Sequence, residues 1–516
     1  MEKYGLRRRV SKILLKCANI IFLVLFSYIF LRVIWHTQDI IGGEKSRYVI
    51  SWLIWGILGI VCVAFCRISI PKNYRIGLII ILLLIQYIYV WAIYSQVDSD
   101  AYVITYIGYN LAKGNLIDLE GFWKQYLAVY TNNIPATAII TAIFRIWLPD
   151  SLEQSWYMLS VIAAILSDIT LVFIYKLVKM TLGRKYALVA MMLSIALITM
   201  SEPGTILYTD IMALWTTPAA LYSLMLCRKK QIHYIVLASL TLAIGAWIKP
   251  QSWVITIAIG ITLLLEWLHA IEENQRRLLR KRMALFISAF GVISLGLSMI
   301  TYSAINLMGK EYVEENKMPM LHFVAMGLNP QTNGVYSEED VIDSKSQIGQ
   351  EAKKKLNREK IADRLNELGG KGFIKHIDKK LIYGAGNGTF TTGREWRGVL
   401  LNNSLQAKRI QNWTIVQEKN FERNTTVWIQ CGYLLTFFMS IYSSVYGLLR
   451  KRKEQNADEW FLANICRIAM IGTVLMLILL ERNLRYMYAT LPCMIFLTSY
   501  SCNKIMEKAV KLNNNE

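Results

Sequence analysis

Cysteine is scarce where it would matter most. The chain has eight cysteines (Cys17, Cys62, Cys66, Cys227, Cys431, Cys466, Cys493 and Cys502), all in or beside apolar runs, and its one large polar region has none. That excludes a disulfide framework, and with no metal-type CxxC spacing it gives no sign of redox or structural-zinc chemistry. A signal-cleavage site is missing too. The basic opening "MEKYGLRRRVSKILLKC" leads into an apolar run through Trp35 of bilayer-spanning length, with no small-residue cleavage motif behind it, so the run is expected to be a first transmembrane helix. Nor do the basic residues form one stripe. The formal charge is +21, yet Lys and Arg fall in short clusters between apolar runs, which is the pattern of positive cytoplasmic loops rather than of a nucleic-acid surface.

What the chain has in abundance is apolar length: 54% of its residues are hydrophobic. Runs near 13–35, 48–66, 76–95, 156–176, 185–200, 211–227, 232–248, 251–269, 284–306, 427–448, 460–480 and 484–502 predict an all-α polytopic membrane protein of about 12 transmembrane helices. Those spans put the clusters "LRRRVSK", "RISIPKNYR", "KLVKMTLGRK", "CRKK", "RRLLRKR", "LLRKRK" and "NKIMEKAVK" on one face, with both termini cytoplasmic. The piece "IPATAIITAIFRIWL" at 134–148 would be a thirteenth crossing, but a single crossing there breaks the parity, so it reads as short, re-entrant or interfacial. The expected organisation is a transmembrane module at 1–307 with a first outer loop at 96–155, a mixed α/β or irregular extracytoplasmic module at 308–426, and C-terminal transmembrane helices at 427–516. Within the outer module, "EAKKKLNREKIADRLNELGG" predicts an amphipathic helix with a glycine stop.

The chemistry-bearing residues gather at span ends on the outer face. In "IYSQVDSDAYVITYIGYNLAKGN", Asp98 and Asp100 stand where an apolar run ends and an interfacial helix closing at Gly114 begins. Helix capping is one account of them; a general base at the membrane boundary is the other. Asp210 in "LYTDIMALW" opens the next acidic outer site. Cations are unexpected on this face, and three are there: Lys249 in "GAWIKPQSW", before a proline suited to a first helical turn, and Arg482 and Arg485 in "LLERNLRYMYATLP". Snorkelling and pairing with Glu481 would account for them, as would the holding of a phosphate. Asn132 and Asn133 in "YTNNIP", His322, Tyr486 and Trp396 are weaker candidates, for which interfacial anchoring or core packing is the plainer account.

These segments, in this order, resemble the GT-C superfamily of polyprenyl-phosphate-sugar-dependent glycosyltransferases, particularly its protein O-mannosyltransferase and aminoarabinose-transferase branch. "VDSDAYVITYIGYNLAKGN" looks like that branch's first outer loop, where an Asp-Glu pair precedes an interfacial helix and a Tyr follows four residues after the first acid, as Tyr102 follows Asp98. The second acid is displaced here by one residue, to Asp100. "YTNNIPATAIITAIFRIWLPDS" is similar to the next short hydrophobic helix without its Pro-Pro and Lys, and "WIKPQSW" to a Lys-Gly-Pro segment without the Gly. "MGLNPQTNGVYSEEDV", "LIYGAGNGTF" and "ERNLRYMYATLP" look like segments of Gram-positive bacterial enzymes of this kind.

The resemblance implies a GT-C fold and an inverting transfer of sugar from a polyprenyl-phosphate donor to an extracytoplasmic acceptor, at a cell membrane and without nucleic acid. It places Asp98 as catalytic base, with Asp100 and Asp210 beside it; Lys249, Arg482 and Arg485 would hold the donor phosphate. No metal ligands are assigned, and dependence on a divalent metal stays open. Two other classes stand beside it: a lipid or solute transporter or flippase, expected to show an internal repeat and broken helices, and a polysaccharide polymerase or ligase, expected to take a diphosphate-linked donor.

Overall fold

A computed structural model describes residues 2–41, 45–67, 71–115, 121–229, 231–390, 397–414, 424–449 and 456–513. Among them, eight helices are long and apolar enough to cross a bilayer: Leu6–Thr37, Ile76–Ile93, Leu152–Thr181, Thr209–Lys229, Pro250–His269, Glu273–Met308, Thr425–Leu449 and Ala457–Leu479. In hydrocarbon a chain must satisfy its own backbone groups, and these Ile-, Leu- and Val-rich runs do so as helices. The other four expected spans are helical too, as Lys45–Arg67, Arg184–Ser194 with its continuation to Thr199, Tyr234–Ile248, and Leu491–Asn513. They fall below that length or hydropathy among the described residues. The protein is an all-α, multi-pass membrane protein.

The faces of these helices divide by partner. Val292, Leu295 and Met299 lie outward on Glu273–Met308, whereas Ser440, Ser443, Ser444, Ser499 and Ser501 are fully buried between helices. Small hydroxylated residues let helices approach closely where hydrocarbon offers no hydrophobic drive for association.

The ambiguous piece at 134–148 belongs to a broken pair: Trp123–Val129 and Thr131–Ile146 meet at a bend of 100°. Its second arm packs along the helix Ser99–Lys113, with Phe144 edge-on to Tyr109 at 5.5 Å. Ser99–Lys113 ends as its sequence foretells. Gly114 takes the left-handed conformation (φ 79°), and its N–H reaches the carbonyls of Asn110 and Leu111.

The described part of the polar block is mostly helical, in Lys310–Asn316, Met320–Gly327, Glu338–Ser346, Gln350–Lys380 and Leu405–Thr414, with one short strand. The block's strand, Arg397–Leu400, pairs antiparallel with Ser95–Val97, just ahead of the acidic pair, and so ties the block to the segment that opens the helix Ser99–Lys113. The glycine stop is a kink rather than an end: Gly369 leaves helical geometry at φ 55°, but the helix resumes to Lys380. It resumes onto partners, since Asp378 accepts hydrogen bonds from Arg32 Nη2 (2.6 Å) and Tyr28 Oη (2.6 Å) on the first transmembrane helix.

A buried carboxylate organises this module. Asp340 takes hydrogen bonds from Lys360 (2.8 Å), Arg364 (2.6 Å) and Asn329 (3.1 Å). Burial works to raise the Asp340 carboxyl, but the bonds from Arg364, Lys360 and Asn329 outweigh it and hold the group at about 2. An unfolded Asp titrates near about 3.9, so this contribution to stability is complete above that pH and is lost as the pH falls towards 2. Limited proteolysis of the polar block in the detergent-solubilised protein at falling pH should show cleavage rising across that window in the parent. Asp340→Asn should be more susceptible at neutral pH and change little with acid; identical acid profiles would contradict the assignment.

Candidate functional site

A single serine sorts the two acids. Ser99 adopts φ 54°, a left-handed conformation uncommon outside glycine, between Asp98 and Asp100. As a result the two side chains diverge. Asp98 is exposed, caps the helix Ser99–Lys113 by accepting from Ser99 N at 2.7 Å, and does not line the cavity beneath. Asp100 turns inward and lines it. This departs from the expectation that the first acid is the reactive one.

The cavity has a volume of about 1500 Å³. Asp100 enters it already oriented: Tyr126 Oη donates to Oδ1 at 2.6 Å, and Tyr208 Oη lies 3.4 Å from Oδ2. Asn133 supports both phenols, donating from Nδ2 to Tyr126 Oη at 2.6 Å with its Oδ1 3.4 Å from Tyr208 Oη. The broken pair explains how this is built. Tyr126 comes from its first arm and Asn133 from the turn at the bend, which also brings Asn132 to the cavity wall.

The same cavity carries a cationic wall. Lys249, Arg482 and Arg485 all line the cavity. Lys249 precedes the short turn Pro250–Ser252 that opens the helix Trp253–His269, as its sequence suggests. The arginines lie on no α-helical face: the chain is extended at Asn483 and enters a 3-10 turn at Leu484. Arg485 donates from Nε to Asn483 Oδ1 at 3.0 Å and stacks over Tyr208 at 5.4 Å. Arg482 sits over Tyr383, also at 5.4 Å. Tyr486 lines the cavity, and its carbonyl accepts from Gln251 Nε2 at 3.0 Å.

Asp210 is behind this wall rather than in it. It is 4% exposed, does not line the cavity, and holds both Lys249, which bonds its Oδ1, and Arg485, whose Nη1 lies 3.5 Å from Oδ2. Its geometry is that of a countercharge, which differs from the expected catalytic placement. Burial, with Arg485 alongside, pulls the Lys249 ammonium down to about 8, against the opposing pull of Asp210. Arg485 keeps its charge, its guanidinium raised by Asp210, Tyr208 and Asp100 against the cost of burial.

Two expected candidates lie elsewhere. Tyr102 stacks between Tyr106 and Trp156, at 6.1 Å from each, and lines no part of the cavity. His322 is fully buried in the polar block against Ser344 Oγ at 2.9 Å, and burial lowers its imidazole to about 4. Trp396 lies outside the described residues. Sequence reasoning passed over Tyr126, Tyr208 and Gln251; only Tyr208 carried a signal, as the aromatic two places before Asp210. Among the described residues no group of three or more His, Cys, Asp or Glu is placed to hold a metal ion.

A family model described as "Conserved hypothetical integral membrane protein" matches residues 10–506, and the chain belongs to that family. No curated protein matches it.

The strain at Ser99 can be tested directly. A non-glycine residue held left-handed costs on the order of 1–3 kcal/mol. Ser99→Gly should leave the unfolding midpoint in detergent equal or higher. Ser99→Val, β-branched at a positive φ, should lower it clearly. Equal tolerance of both would mean the turn is not constrained.

Proposed function

We propose that this protein is an integral-membrane glycosyltransferase that moves a sugar from a polyprenyl-phosphate donor to an extracytoplasmic acceptor (a cell-envelope glycan, lipid or protein) with inversion, using Asp100 rather than Asp98 as general base. The observation that carries the reading is one cavity holding a pre-oriented carboxylate together with the cations Lys249, Arg482 and Arg485. A general base and an anion-binding wall sharing one space large enough for two substrates is what a displacement from a phosphate-linked carbon requires. The proposal includes the topology of twelve crossings with cytoplasmic termini, the divisions at 1–307, 308–426 and 427–516, and a cavity on the extracytoplasmic side.

In this mechanism the donor phosphate rests on Lys249, Arg482 and Arg485. The acceptor hydroxyl lies between Asp100 and the anomeric carbon. Its oxygen forms the new bond to that carbon from the side opposite the phosphate, the carbon–oxygen bond to the phosphate breaks, and Asp100 Oδ2 takes the acceptor's proton. The lipid phosphate leaves with one more negative charge than the donor carried. Cations fixed where charge develops stabilise the transition state more than the ground state. Tyr126 keeps Oδ1 engaged and so turns Oδ2 towards the acceptor.

A lipid flippase is the second reading, favoured by the broken pair Trp123–Val129 and Thr131–Ile146, since transporters place interrupted helices at their substrate sites.

Loss of the general base should slow transfer by roughly 10²–10⁴-fold. Mass spectrometry of envelope glycans from a deletion strain complemented with each variant should show the product lost with Asp100→Asn and largely retained with Asp98→Asn. The reverse pattern would return the role to Asp98, and glycans unchanged by deletion itself would end the glycosyltransferase reading. Lys249 is charged only below about 8. Binding of decaprenyl phosphate in nanodiscs should therefore weaken as the pH rises through that value, and Lys249→Arg should remove the dependence; an unaltered profile in that variant would place the titration elsewhere.

A further inference from the structure

Lys380 closes the helix Gln350–Lys380 of the outer module, and its side chain is fully buried outside the cavity. Its ammonium donates to three backbone carbonyls, those of Gly327 (2.8 Å), Ile478 (2.8 Å) and Leu480 (2.6 Å). Three N–H donors meet three acceptors, so every proton of the group is placed. Two of these carbonyls stand where the transmembrane helix Ala457–Leu479 ends, and a helix end leaves carbonyls without intrahelical donors.

The chain leaving that end carries the two arginines of the cationic wall. Arg482 is two residues past Leu480, and its backbone N–H donates to the Gly334 carbonyl at 2.6 Å. Gly327 lets the module approach this closely, because a Cβ there would collide with the Leu480 carbonyl. His376, one turn before Lys380, holds the Gly327 carbonyl from Nε2 at 2.8 Å. The irregular segment from Leu480 to Arg485 therefore takes its course from the outer module as well as from its own helix.

We propose that Lys380 is a positioning residue for the donor-phosphate wall: by holding the carbonyls of Ile478 and Leu480 it sets the path that brings Arg482 and Arg485 into the cavity, so that phosphate binding depends on the outer module. The consequence for binding rests on the reading of those arginines as phosphate ligands; the positioning itself does not.

The experiment uses the full chain in nanodiscs and reads two quantities for the parent, Lys380→Met, Lys380→Gln, Arg482→Ala and the Lys380→Met/Arg482→Ala double variant. Hydrogen exchange should quicken over residues 480–485 in Lys380→Met and stay unchanged over residues 99–113. Affinity for decaprenyl phosphate should fall roughly ten-fold or more, the scale of a lost charged hydrogen bond, with affinity for decaprenol unaltered. The loss in the double variant should be smaller than the sum of the two single losses, since the part of the Lys380 effect that runs through Arg482 is already gone while the part that runs through Arg485 remains. Lys380→Gln, which keeps two donors, should lie between, and it carries the test if Lys380→Met does not fold. Unchanged exchange at 480–485, exchange raised equally throughout, or strictly additive losses in the double variant would overturn the proposal. If the parent itself does not bind decaprenyl phosphate, the phosphate reading fails, and the exchange data decide the positioning role alone.

Discussion

The constraint on which the site depends is the electrostatics of two cations held in a buried wall. Lys249 and Arg485 come from chain segments more than 200 residues apart, and each is largely withdrawn from water. Like charges in a low-dielectric setting repel strongly and lose hydration, so the arrangement needs a fixed anion between them. Asp210 supplies it. Because that carboxylate lies behind the wall, it can steady both cations without occupying the space where a ligand would sit. The same logic runs on to the acid: Tyr208 lies under the Arg485 guanidinium and beside Asp100, so the acid and the cations share one connected set of side chains.

The surroundings make that set rigid. The helix Ser99–Lys113, the bend at Tyr130, the helix start at Pro250 and the end of Ala457–Leu479 each deliver one part of it, and each is a helix terminus or break. Termini are where backbone groups are left over and where irregular chain can aim side chains inward. The polar block closes the arrangement, through the strand pairing of Arg397–Leu400 with Ser95–Val97 and the anchoring of Asp378 on Arg32. Lys360 and Arg364, gathered on Asp340, keep the module's own helices together.

Much of this was legible in the sequence, because bilayer-length apolar runs have few alternatives to helix and because charges at span ends stand out against them. Lys249, Arg482, Arg485, Asn132, Asn133 and Tyr486 were all singled out and all line the cavity. The differences in placement have local causes. The resemblance gave Asp98 the base position, whereas in the structure Asp98 caps its helix at the surface and Asp100 lines the cavity, on either side of Ser99 with its positive φ. Asp210 was grouped with them because its partners, 39 and 275 residues away, could not be seen from the sequence. The stop at Gly369 became a kink because tertiary contacts at Asp378 and Lys380 carry the helix onward. Tyr126 has no sequence signature at all: a tyrosine beside an apolar run reads as an interfacial anchor until the fold brings it to Asp100.

The central claim is that Asp100 activates an acceptor against a sugar held on a single lipid phosphate. Lipid extraction and mass spectrometry of cells carrying only the Asp100→Asn protein test it most directly. If the chain is bound but cannot complete transfer, an intact sugar linked to one polyprenyl phosphate should accumulate relative to the parent strain, and the free polyprenyl phosphate released by transfer should fall. Accumulation of a diphosphate-linked oligosaccharide instead, or lipid pools indistinguishable from the parent's, would contradict it.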